Sequence, residues 1–280
     1  MKNKSFDVTK SSGKKVSFSI DKLKHSLKKS GADTNLTNQI ADKVRDEIYQ
    51  GISTKEIYNR AFALLKSKQS HIASKYKLKK AIYELGPTGF PFERFVAAIF
   101  NAEQYNTSVG DVVSGICVSH EIDILATKNN KTLLVECKFH GEQGLNCNVK
   151  IPLYIFSRYK DVQDKWNDNQ NKTSTLSEGW VVTNTRFTED AKIFGNCVGL
   201  KLLSWDYPHN NSLKQRIDKY KLYPITVSTL LTKREKQFLL NRDIVLSKDL
   251  LNDSFYLDHL GVSTTRKKRI LNEFNLLCNS

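Results

Sequence analysis

Apolar residues fall into two kinds of pattern along this chain. Leu36, Ile40, Val44 and Ile48 recur every fourth position, which predicts a helix over residues 35–50 with one buried face. Phe92, Phe95, Val96, Ile99 and Phe100 follow the i, i+3, i+4, i+7, i+8 stripe behind Pro91, and predict a second amphipathic helix over 91–102. Residues 120–127 (HEIDILAT) and 131–138 (KTLLVECK) read differently. They are rich in β-branched and apolar residues, and Lys128-Asn129-Asn130-Lys131 between them is turn material. With Asn129 and Asn130 as a two-residue loop, Lys128 pairs with Lys131 and Asp123 lands opposite Glu136. Directly opposed side chains sit about 4.5–5.5 Å apart at Cβ. Strand side chains alternate, so Lys138 shares the face of Glu136 while Val135 and Cys137 point away.

Shorter signals fill in the remainder. Phe6-Asp7-Val8, a Ser11-Ser12-Gly13-Lys14 turn and the run from Val16 predict a small hairpin. A helix follows from Asp21, with Leu23 and Leu27 on one face. Ser53-Thr54-Lys55-Glu56 is a capping box that opens a third helix, and a fourth over 70–85 stops at Gly86-Pro87. Gly86-Pro87-Thr88-Gly89 reads as a linker. Beyond the central hairpin come a helix over 151–165, a buried strand at 180–183, a helix over 189–194 capped by Thr188, and a strand over 200–205. Strand–helix–strand order favours a right-handed crossover and an α/β sheet. The last 70 residues turn helical, with a Thr232-x-x-Glu235 capping box and a helix–Gly261–helix step leading into Arg266-Lys267-Lys268-Arg269. That step faintly resembles a helix-hairpin-helix DNA clamp; the other reading is a solvated helical face.

Charge changes the picture. The chain has 280 residues and a formal net charge of +15, enough length for about two domains. The charge is +11 over residues 1–90, −2 over 91–210 and +6 over 211–280. A near-neutral centre between basic arms suits a catalytic core whose flanks hold a polyanion. Five cysteines without a CxxC pair argue against a disulfide framework and a zinc site, and for a reducing cytosol. The N-terminus has no apolar signal core and no run approaches the length of a membrane span, so the expected location is cytoplasmic.

Facing carboxylates cost stability unless a cation neutralises them. Mg²⁺, or Mn²⁺, takes one or two carboxylates plus waters and substrate phosphate, so Asp123 and Glu136 are the candidate metal ligands. Lys138 would hold or activate the attacking water, and Glu93 would support the acidic cluster. His140, Glu142 and Gln143 lie in the following loop, and Arg158 and Lys160 are candidate phosphate contacts. The string HEIDI lacks the second His of a HExxH zinc motif, and no GxxxxGK[ST] loop is present.

Two resemblances give these residues a context. Val8-x-Lys10-x-x-Gly13-x-x-Val16-x-Phe18, Asp21-Lys22-Leu23, Ser26-Leu27 and Ala73-x-x-Tyr76 resemble the ATP-cone, a nucleotide-binding regulatory domain. The resemblance implies that Lys10, Lys14 and Lys22 contact the phosphates of ATP or dATP. The chain has Lys10-Ser11 where that family commonly has Lys-Arg. Gly89-x-x-Phe92-Glu93, Asp123, Glu136-Cys137-Lys138 and Val181-Val182-Thr183-Asn184-x-x-Phe187-Thr188-x-x-Ala191 look like the Mrr-type restriction endonucleases of the PD-(D/E)xK superfamily. This second resemblance implies a mixed sheet flanked by helices, with Glu93, Asp123, Glu136 and Lys138 as the catalytic set.

The organisation expected is an ATP-cone-like domain over 1–86, a nuclease domain over 87–210 and a basic helical region over 211–280. The function expected is a Mg²⁺-dependent endonuclease of the type II or type IV restriction kind. It would act on double-stranded DNA, under nucleotide control, as at least a homodimer, and by family extension in restriction or phage defence. The alternative is a nucleotide-responsive DNA-binding regulator with an inert core.

Overall fold

The computed structural model describes residues 6–10, 13–169 and 172–279. In chain order its elements are β1 (Asp7–Thr9), β2 (Lys15–Ser17), α1 (Ile20–Lys29), α2 (Thr34–Asp46), α3 (Thr54–Lys68), α4 (Ser70–Tyr76), α5 (Leu78–Tyr83), α6 (Phe90–Ala102), β3 (Asn106–Ser114), β4 (Ser119–Lys128), β5 (Lys131–Lys138), β6 (Asn146–Cys147), α7 (Lys150–Asn167), β7 (Thr175–Thr183), β8 (Arg186–Phe187), α8 (Glu189–Val198), β9 (Lys201–Leu203), α9 (Leu213–Tyr220), α10 (Lys233–Leu240), α11 (Ser247–Asn252), α12 (Phe255–His259) and α13 (Thr264–Asn279). They gather into two units. One comprises the described residues of 1–81, 225–236 and 250–280, the other those of 82–224 and 237–249. The sequence read 211–280 as one basic region; in the structure it divides between the two. No helix among the described residues is long and apolar enough to cross a membrane.

In the first unit β1 and β2 pair antiparallel with Val8 opposite Val16. The Lys10 N–H donates to the Lys14 carbonyl at 2.9 Å; Ser11 and Ser12 of the expected turn lie outside the described residues. The four-residue stripe of α2 buries Leu36, Ile40 and Val44, and Asp33 caps it by accepting from the Leu36 N–H at 2.7 Å. Ser53 likewise caps α3 by accepting from the Glu56 N–H. The reciprocal half of that box is replaced, because the Glu56 carboxylate accepts from Arg60 and from the Tyr49 hydroxyl, both at 2.8 Å. The single helix expected over 70–85 is two helices, α4 and α5, meeting at Lys77. The bend turns Lys77 inward, where its ammonium donates to the Thr226 carbonyl at 3.0 Å.

The C-terminal segments pack into this same unit. Thr232 and Glu235 make the full reciprocal box, at 2.7 and 3.2 Å. Glu235 also takes a two-pronged bond from Arg266 at 2.5 and 2.7 Å, which holds its carboxyl down at about 2. Arg266 is thereby a structural brace, and Lys267 pairs with Asp258 at 2.6 Å; Lys268 and Arg269 remain exposed. Glu273 of α13 is 1 % exposed. It accepts from the hydroxyls of Ser74 (2.9 Å), Ser228 (2.6 Å) and Thr229 (2.7 Å), and from the Thr229 N–H (3.1 Å).

The second unit is built on a mixed sheet, five-stranded among the described residues, in the order β3-β4-β5-β7-β9. The β3–β4 and β4–β5 pairs are antiparallel, whereas β5–β7 and β7–β9 are parallel. The central hairpin has the expected register, from Lys128 opposite Lys131 to Ile124 opposite Val135. Asn129 and Asn130 both take positive φ, 51° and 58°, the geometry whose twist matches antiparallel strands. Ile155, Tyr159, Val162 and Trp166 of α7 bury a core with Leu134, Leu176, Val181 and Leu202. Helix α6 buries Phe92, Phe95, Val96, Ile99 and Phe100, with Phe100 edge-on to Trp180. β3 was not identified from its pattern. It is an edge strand in which exposed and half-buried residues alternate throughout, so it carries no apolar run to read.

The Glu273 cluster sets a stability test. Glu273→Ala strips the acceptor from four buried or half-buried donors and should lower unfolding stability by roughly 3 kcal/mol. Glu273→Gln should lose clearly less. Urea denaturation of both variants measures the difference.

Candidate functional site

The site lies where β4 and β5 part. Beyond the Ile124–Val135 pair, Asp123 Oδ2 accepts the Cys137 N–H at 2.6 Å. A side chain thus takes a main-chain donor, and the backbone ladder ends there. Asp123, Glu136, Cys137 and Lys138 line one pocket with Ile151, Tyr154, Ile155 and Arg158 of α7 and Val181 of β7. The structure therefore gathers Asp123, Glu136 and Lys138 as the register predicts. Cys137 also borders this pocket, where its main-chain N–H meets Asp123. Its thiol is pushed well up by burial and then by the charges of Asp123, Glu93 and Glu136.

Glu136 is the most constrained group. Its side chain is 6 % exposed, and Oε2 accepts from Arg158 Nη1 at 2.8 Å, while Oε1 is buried with no hydrogen-bond partner. Burial, then the neighbouring Asp123 charge, pushes its carboxyl up to about 8 against the pull of Arg158. Glu93, in the first turn of α6, is raised to about 7 by burial, then by Asp123 and Glu121. Asp123 is raised too, chiefly by burial. Glu121 is an acidic neighbour the sequence reading passed over, two residues before Asp123 and so on its side of the strand.

An orphaned buried carboxylate oxygen beside a second carboxylate suits a hard divalent cation, which needs oxygen ligands and keeps several waters. Asp123 and Glu136 fit that demand. Among the described residues no group of three or more His, Cys, Asp or Glu is gathered to hold a metal. Among them only this pair is placed to hold such an ion, and Glu93 acts on Glu136 through charge.

The surroundings hold Lys138 in place. Thr183 Oγ1 donates to the Lys138 carbonyl at 2.7 Å. Asn184 clamps the next turn with both ends of its amide, accepting from the His140 N–H at 2.9 Å and donating to the His140 carbonyl at 2.8 Å. Thr183 and Asn184 belong to the motif quoted from the sequence, but their role as clamps shows only in three dimensions. Phe139 packs on Phe92, with ring centroids 5.6 Å apart, tying the end of β5 to the helix that bears Glu93. A Cβ at position 89 would stand 3.1 Å from Glu93 Oε1, so the Glu93 side chain would have to give by a few tenths of an ångström.

Other candidates sit differently. Arg158 and Lys160, read as phosphate contacts, are both engaged. Arg158 is bonded to Glu136, and Lys160 pairs with Gln163 and Asp164 on the outer side of α7. The His140 ring meets the Cys147 sulfur at 3.3 Å, and burial pushes its pKa down. Glu142 and Gln143 are exposed in the loop. In the other unit Lys10, Lys14 and Lys22 are all exposed, the first two beside the β1–β2 turn and the third in the first turn of α1.

Two family models match the chain. The ATP cone domain matches residues 6–84, which supports that assignment for the N-terminal region. The family described as AF1548-like, C-terminal, matches residues 223–278. An uncharacterized protein of Archaeoglobus fulgidus is 27 % identical over 179 residues, spanning 64 % of this chain and 97 % of that protein. A crystal structure described as a protein of unknown function, AF1548, superposes with a TM-score of 0.56 at 26 % identity. It covers 69 % of this chain and the whole of the other. None of these descriptions names a nuclease.

The raised carboxyls predict a pH effect. A carboxyl whose folded pKa exceeds its unfolded value binds an extra proton when folded. The stability it contributes is then fully present below the unfolded value, here 4.5, and is lost as pH climbs to about 8. In chelator, the wild-type thermal midpoint should fall from pH 6 to pH 9 by about 5 °C more than that of Glu136→Gln.

Proposed function

We propose that this protein is a divalent-cation-dependent DNA endonuclease under nucleotide control. The observation that carries the reading is Glu136, a buried carboxylate with one oxygen lacking a partner, set against Asp123 and Lys138 in a pocket open to solvent. Asp123 and Glu136 would hold Mg²⁺ or Mn²⁺. A cation so bound lowers the pKa of water and neutralises charge on a phosphoryl oxygen.

The remaining work falls to the chain's own groups. The Lys138 ammonium, on a strand end whose carbonyl Thr183 holds, would orient the attacking water and balance the incoming phosphate charge. Asn184 fixes the loop that follows, so the ammonium swings from a rigid strand end. Glu93, raised to about 7, is part-ionised near neutrality, where its ionised form adds to the negative potential that draws in a cation and its protonated form can exchange a proton with the site. Residues 91–210, which bear the site, carry a net charge of −2, so grip on the DNA backbone would come from the basic segments that flank them in sequence. The order of elements and the mixed sheet support the restriction-endonuclease-like, Mrr-type reading of this unit. Double-strand scission by a chain with one such site usually needs two copies, so a homodimer is the assembly expected.

The ATP-cone match supports ATP or dATP as the regulatory ligand, bound through Lys10, Lys14 and Lys22. A second reading, a nucleotide-responsive DNA-binding regulator with an inert core, is favoured by the Arg158–Glu136 pair, which already neutralises one carboxylate.

Supercoiled plasmid with Mg²⁺ or Mn²⁺ separates the two. Nicking or linearisation by the wild type should fall at least about 100-fold in Asp123→Ala and Lys138→Ala. Tight DNA binding with no scission in either metal would establish the regulator instead. For the first unit, equilibrium dialysis should show ATP or dATP bound to the wild type and lost, by about tenfold or more, when Lys10 and Lys14 are both changed to Ala. Equal retention in the double variant would remove those lysines from the site.

A further inference from the structure

Arg158 is the visible end of a longer chain of contacts. Its guanidinium donates to Glu136 Oε2 at 2.8 Å, to the Glu121 carbonyl, and through Nε to His120 Nδ1 at 3.4 Å. An imidazole nitrogen that accepts from arginine carries no proton. The donor side of the His120 ring is then Nε2, which meets Asp161 Oδ2 at 2.7 Å. Asp161 is itself pinned by main chain. Oδ1 accepts from the Cys117 N–H at 2.8 Å, Oδ2 from the Val118 N–H at 3.3 Å, and the Asp161 carbonyl from the Ile116 N–H at 3.1 Å. The β3–β4 turn wraps around this one carboxylate, and Gly115 makes room for it, because a Cβ there would overlap Asp161 Oδ2.

We infer that Asp161, His120 and Arg158 form a positioning relay that fixes Glu136 as a cation ligand. The inference rests on the proposal that Asp123 and Glu136 bind a divalent ion. Arg158 occupies Oε2 and so determines which oxygen of Glu136 faces the ion. Helix α7 supplies both Arg158 and Asp161, three residues apart and hence on one side of the helix. His120 comes from β4, and the main-chain donors come from the turn before it. The relay thus ties the ligand to two elements at once, and none of its three members needs to touch the ion. Groups that hold a metal ligand from behind commonly set affinity by about 10- to 100-fold.

Isothermal titration of the full chain with MnCl₂ at fixed pH tests this. The wild type should bind, and Asp123→Ala should give no binding. His120→Ala and Asp161→Asn should each raise the Mn²⁺ Kd by about tenfold. His120→Gln, whose amide can accept from Arg158 and donate to Asp161, should stay within about threefold. Lys160→Ala, on the outer side of the same helix, should match the wild type. A purely structural role would lower the melting temperature of His120→Ala and Asp161→Asn while leaving Kd unchanged. That result, with Asp123→Ala silent, overturns the relay and leaves the cation site standing. A wild type that binds no Mn²⁺ overturns both. If His120→Ala does not fold, the comparison of Asp161→Asn with His120→Gln decides the matter.

Discussion

Burying the Glu136 carboxylate is the constraint on which the second unit turns. An ionised carboxylate taken out of water loses solvation that it must recover from partners or give up by taking a proton. Arg158 returns part of that solvation to one oxygen; the other has no partner. The surrounding architecture follows from this need. Helix α7 lies where its arginine can reach β5, the parallel neighbour β7 closes the strand's other edge, and Asn184 and Thr183 lock the segment that leaves it. A leucine at 136 would satisfy the burial far more simply, so the acid is held there against the local cost.

The first unit handles its buried acid in the opposite way. Glu273 receives four hydrogen bonds from hydroxyls and main chain, and its oxygens are fully engaged in joining α13, α4 and the 225–236 segment. One acid is satisfied and structural, the other under-satisfied and open to a pocket. The contrast separates a packing solution from a ligand-seeking one better than burial does, because both residues are buried to a similar degree.

Much of this was legible in the sequence where it depends on local periodicity. The turn at Asn129-Asn130 fixed the register, and the register brought Asp123 to Glu136. The stripe from Phe92 to Phe100 marked α6, and with it the place of Glu93. What could not be read depends on which distant element arrives next to which. Arg158 looked like a free basic residue because nothing local says that Glu136 will be opposite it. The inward turn at Lys77 was invisible because its acceptor, the Thr226 carbonyl, lies far along the chain. Residues 211–280 read as one basic region because charge is continuous across a stretch that the fold divides. β3 offered no apolar run, since a sheet edge demands little burial.

The two asparagines at 129 and 130 have a consequence for how such a site can vary. Side chains in a strand alternate, so whether Glu136 and Lys138 face Asp123 is a matter of odd or even spacing along the hairpin. One residue added to β5 on the turn side of Leu134, with the pairing of the turn kept, would carry both to the other face while leaving composition and hydrophobicity almost unchanged. Drift in length at this point is therefore not graded. The acid and the lysine are kept together or lost together, and a relative with an odd-length change there would keep the sheet and Asp123 while losing the second carboxylate and the ammonium from the pocket.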